Sequence, residues 1–123
     1  MLFMTNYNFG DVVIVPFPFS SGMGIKKRPA VVISNQQYQK YRRDMILLAV
    51  SSRIRDPLDY GDIVIQDWQE AGLLKPSILK PLVFTFEQSS VLTQLGRLTS
   101  TDKMQLDKLL KNIIGNFDSS SLH

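Results

Sequence analysis

The chain has 123 residues, enough for one domain with one real core, and its 44% hydrophobic and 20% charged content excludes a disordered chain. It holds no cysteine, which excludes disulfides, cysteine-bound zinc and a thiol nucleophile. The formal charge of +3 suits a phosphate-rich partner without requiring one. No apolar run approaches the ~20 residues of a membrane helix and no secretory signal is visible, so no membrane partner and a cytoplasmic location are expected.

Residues 1–9 read as a short lead-in, and Gly10-Asp11 as the turn that starts the first strand. Residues 12–15 are β-branched throughout and apolar on both faces, so this strand should be buried on both sides. Pro16 and Pro18 remove two backbone donors; regular pairing should end near Val15 or continue only on the side that keeps its donors. Ser20, Ser21, Gly22 and Gly24 read as a connecting loop, and residues 30–33 as the second strand. Pro29 suits the first position of that strand. Lys26, Lys27 and Arg28 then fall where the loop meets the strand, a position that suits binding residues.

Residues 35–43 fit either a loop or one helical turn. Residues 45–50 form a third strand, 51–60 a loop rich in charge, and 61–65 a fourth strand. Residues 67–72 read as a helical turn with Gly72 near its end. A fifth strand is expected at 82–86, and residues 91–98 fit a turn followed by a very short strand at 96–98. The last element is the clearest. Thr99 suits an N-cap with Asp102 in the first turn, and Leu106, Leu109, Leu110, Ile113 and Ile114 recur at helical spacing before Gly115. Residues 116–123 form a polar tail. Five short strands and one closing helix give a mainly β fold, a small and strongly bent antiparallel sheet or barrel, in a single domain whose core spans about residues 9–115.

The chemistry-bearing residues are few. The only histidine is His123, the last residue, so a pair of histidines acting as acid and base is not available within one chain. The carboxylates are scattered with no ligand-like spacing, so no metal and no cofactor is expected. Arg28 has a permanent charge and can hold a phosphate through two hydrogen bonds; composition alone favours an ordinary surface arginine. Ser51, at the end of the third strand, offers a hydroxyl to a phosphate oxygen, or else satisfies its own backbone.

Four features in order tip this balance: Gly10-Asp11 before an apolar strand; Lys27-Arg28-Pro29-Ala30-Val31-Val32-Ile33-Ser34 after a glycine-containing loop; Val50-Ser51-Ser52-Arg53; and Gly96-Arg97-Leu98-Thr99. Together they resemble the MazF/PemK family of toxin endoribonucleases. The resemblance implies an SH3-like barrel with a C-terminal helix, a homodimer, a cognate antitoxin and single-stranded RNA as substrate. It implies metal-independent cleavage through the 2′-hydroxyl of the RNA, with Arg28 and Ser51 catalytic; the family usually has threonine where Ser51 stands. Lys26, Lys27, Ser52, Arg53 and Arg55 would then bind RNA, and Phe19 would either stack a base or join the core. Two stretches depart from the family pattern: Met23-Gly24-Ile25, where relatives carry an acidic residue, and Pro81-Leu82, where they often have Asp-Gln. The competing reading is a non-catalytic module on the same barrel, such as a CcdB-like toxin that contacts gyrase or a nucleic-acid-binding protein.

Overall fold

The computed structural model describes residues 2–3, 6–18 and 24–121. Phe19, His123 and most of the 20–24 loop lie outside the described residues. Six strands form one antiparallel sheet: β1 (Asp11–Pro18), β2 (Ile25–Val32), β3 (Asp44–Ser51), β4 (Ile63–Val64), β5 (Ile78–Glu87) and β6 (Thr93–Arg97). Their order across the sheet is β4-β5-β3-β2-β1-β6. Helix α1 (Gln36–Tyr41) joins β2 to β3, and α2 (Ser100–Ile113) follows β6. The segment 35–43, which fitted loop or helix, is therefore helical over 36–41, started by Asn35, whose side chain accepts from the N–H of Tyr38 at 2.9 Å.

The sheet is apolar on both faces, as the first strand foretold. Val12 joins Val31, Leu48, Leu79, Leu106 and Leu109 in one core under α2; Val13 and Val15 join Ala30, Val32, Met45 and Leu47 in a second. Pronounced curl closes the second core. Phe17 on β1 and Phe84 on β5 meet edge to face with centroids 5.0 Å apart. Three strand spacings separate those strands in the sheet order, about 14 Å if it were flat.

Four expectations need correction. Among the described residues the strands number six, because residues 93–97 pair with β1 instead of forming a strand only at 96–98. The fifth strand begins at Ile78, four residues early, and the fourth shrinks to two residues. Ile114 is exposed, since it is the C-cap and the helical face ends at Ile113. Most consequential, β2 begins at Ile25, so Lys26, Lys27 and Arg28 lie within a strand and Pro29 is its fifth residue. Cross-strand pairing with β1 runs to Pro18↔Ile25 and overrides the loop reading.

The prolines fit this register. Leu92 N–H donates to Ile14 O at 2.9 Å, which puts the polar groups of Ile14 on the β6 side. Backbone groups alternate sides along a strand, so Pro16 and Pro18 lack donors on that side, where pairing with β6 stops at Ile14. Pairing with β2 continues to Pro18. Likewise Ile33 N–H donates to Ile46 O on β3, so the nitrogen of Pro29 also faces β3. The β2–β3 ladder ends at Ala30↔Ala49, one residue before it.

Candidate nucleic-acid cleft

Where the β2–β3 ladder ends, a cleft of about 430 Å³ opens. Ile14, Val50, Leu73 and Leu95 give it an apolar lining; Lys26, Lys27, Arg28, Ser51, Ser52, Lys75 and Ser77 give it a polar one. Arg28, two residues beyond Ala30 on β2, and Ser51, two beyond Ala49 on β3, both line this one cleft. Arg28 is exposed and Ser51 half-buried. A larger cavity of about 530 Å³, lined by Tyr7, Arg43, Glu87 and Gln88 among others, touches none of the candidate residues.

Ser51 is held in place. Its Oγ accepts from the N–H of Arg53 at 3.1 Å, the local turn that strand-end serines form. That bond uses an acceptor site and leaves the hydroxyl proton for donation, which is what a phosphate oxygen requires. Lys26, Lys27 and Ser52 line the same cleft. Arg53 and Arg55 do not; they stand exposed on the loop that follows β3. Phe19 lies outside the described residues. Among the described residues, no three His, Cys, Asp or Glu side chains gather as a metal site would need, and no helix is long and apolar enough to cross a membrane.

The wall formed by residues 73–77 was not singled out from the sequence. It is built by the turn at residues 66–72. Asp102, buried in the first turn of α2, accepts from the N–H groups of Gln66 and Asp67, both at 2.9 Å. Thr99 Oγ1 donates to Asp67 Oδ2 at 2.7 Å and accepts from Asp102 N–H only at 3.5 Å. Gly72 ends the turn at φ +90°, and a Cβ there would stand 2.4 Å from the carbonyl oxygen of Leu95. A Cβ at Gly96 would stand 2.6 Å from Ala71 O. The turn and β6 therefore meet backbone to backbone. The sequence signal that could have found this wall was the pair of glycines 72 and 96, both of which it placed near element ends.

A family described as "PemK-like, MazF-like toxin of type II toxin-antitoxin system" matches residues 8–114. No curated protein sequence matches the chain. Among solved structures, a MazE–MazF assembly (Form-II) from Deinococcus radiodurans superposes with a TM-score of 0.69 at 17% identity, covering 93% of this chain and 100% of its own. An endoribonuclease from a mycobacterial species gives 0.67 at 14% identity, covering 89% and 92%. A second mycobacterial structure, an endoribonuclease in complex with its cognate antitoxin, gives 0.64 at 15%, covering 89% and 93%. At these identities the superpositions speak for the fold.

Proposed function

The chain belongs to the PemK-like, MazF-like toxin family of type II toxin-antitoxin systems, and from that premise we propose that it is an endoribonuclease that cuts single-stranded RNA without a metal. The observation that carries the reading is Arg28 and Ser51 in one cationic cleft. The RNA brings its own nucleophile. Its 2′-oxygen bonds to the adjacent phosphorus as it loses its proton, and the bond from phosphorus to the 5′-oxygen breaks as that oxygen gains one. The products are a 2′,3′-cyclic phosphate and a 5′-hydroxyl. The protein's task is to hold the 2′-oxygen in line and to stabilise the charge on the equatorial oxygens. Arg28 suits the second part, since its guanidinium stays charged and grips oxygens in pairs. Ser51 adds a neutral donor. Lys26 and Lys27 fix the flanking backbone.

An antitoxin partner belongs to this reading, as does a cytoplasmic site of action, where mRNA is found. So does a homodimer, for which exposed Leu82 and Val83 on β5 offer apolar surface. The test is incubation of purified protein with mixed RNA in EDTA, followed by end-group analysis. Cyclic phosphate and 5′-hydroxyl ends are expected. Intact RNA, or cleavage that EDTA abolishes, would overturn the reading.

A further inference from the structure

We propose that residues 74–76 are the second wall of the RNA site: Lys75 holds a phosphate beside the one that is cut, and Leu74 carries an unstacked base. The inference rests on the ribonuclease reading and adds residues to it.

Charge is the first argument. Lys26, Lys27 and Arg28 line one wall of the cleft and Lys75 another, and no carboxylate lines it among the described residues. Cations set around a concave, partly apolar site focus their field onto an anion that enters it. A nucleic-acid backbone that enters past Arg28 therefore meets Lys75 as the next fixed cation.

Rigidity is the second. The two ends of the wall are pinned. Leu73 is buried and its N–H donates to Trp68 O at 3.0 Å. Ser77 is buried, its carbonyl accepts from Ile65 N–H at 2.9 Å, and its Oγ donates to Lys75 O at 2.9 Å. Between these anchors Leu74 is 91% exposed. A lone exposed leucine needs no explanation. One at the lip of a cleft, on a segment whose two ends are anchored, offers a base an apolar surface at a reduced backbone ordering cost. At about 430 Å³ the cleft falls in the range of small-ligand sites, room for about one nucleotide.

The test uses a short single-stranded RNA with a 2′-deoxy substitution at the cut position, so that it binds and stays intact. Lys75→Ala should lower the slope of log affinity against log salt by about 0.7, the share of one phosphate on a single strand. Lys75→Arg should restore it. Leu74→Ala should keep the slope and change which base flanks the cut in a randomised RNA pool. If the wild type cuts RNA, and folded Lys75→Ala binds with the wild-type slope while Leu74→Ala keeps the wild-type cut profile, this inference fails and the ribonuclease reading stands. A changed slope with an unchanged profile keeps Lys75 and removes Leu74; the reverse keeps Leu74 and removes Lys75. If the wild type neither binds nor cuts RNA, both readings fall together.

Discussion

Ala30 faces Ala49 across the last rung of the β2–β3 ladder, and the cleft begins one residue beyond. Pro29 has no N–H to offer β3, so pairing cannot continue there. Pro29→Val restores the donor. The variant should extend the ladder by a rung, narrow the cleft and lower RNA cleavage, with stability within about 1 kcal/mol of wild type. Hydrogen exchange at residue 29 should report a protected amide. Wild-type turnover with an unprotected amide would show that the proline is not what ends the ladder.

Arg28→Ala should lose about 10²–10³-fold or more in single-turnover cleavage, the scale for one transition-state donor. Arg28 is exposed, so the variant should fold, which circular dichroism checks. Ser51→Ala should cost less, because a neutral hydroxyl is the weaker donor. Ser51→Thr should be tolerated, since threonine can keep the bond from Arg53 N–H and adds a stiffer rotamer. A folded Arg28→Ala protein that cuts at the wild-type rate would move the site elsewhere and favour a non-catalytic binding module.

Much of this was legible in the sequence. The β-branched runs of β1 and β2, the apolar run of β3 and the 3.6-residue pattern of α2 announce themselves locally, as does the Thr99 cap. What was hidden depends on partners distant in the chain. Lys26 and Lys27 have little strand propensity, and only pairing with Phe17 and Pro16 makes them strand residues. The same holds for residues 93–95, which are strand only because β1 lies beside them. The cleft residues Arg28, Ser51, Lys26, Lys27 and Ser52 were found by motif. Lys75 was not, because its place depends on how the 66–72 turn seats against β6.

Gly72→Ala tests that seating. Its φ of +90° disfavours any side chain, and the Leu95 carbonyl fills the space a Cβ would take. A loss of about 1–3 kcal/mol is expected in urea unfolding. Cleavage should fall as well, because residues 73–77 lose their anchor. A variant as stable and active as wild type would show that the wall is held by other contacts.

Asp102→Ala should also destabilise, by about 2–3 kcal/mol, since it leaves the N–H groups of Gln66 and Asp67 without their acceptor. The loss should appear as a melting temperature roughly 10 °C lower. Asn at this position can accept but lacks the charge and the second oxygen, so Asp102→Asn should fall between alanine and wild type. Equal stability of all three proteins would count against this capping role.

RNA binding should weaken steeply with salt. Lys27→Ala should reduce the log–log slope by about 0.7. Arg53→Ala, outside the cleft, should change it less. Equal slopes for the two variants would mean that the RNA path continues over the loop that carries Arg53.

The wall that carries Leu74 and Lys75 is secured at Gly72, Leu73 and Ser77 and not at its tip. Its tip can therefore be rewritten while its foundations stay as they are. Substitutions at 74 and 75 touch neither core, so a library confined to those two positions should yield folded proteins at high frequency. Selection on such a library could redirect which sequences the cleft accepts without a new scaffold.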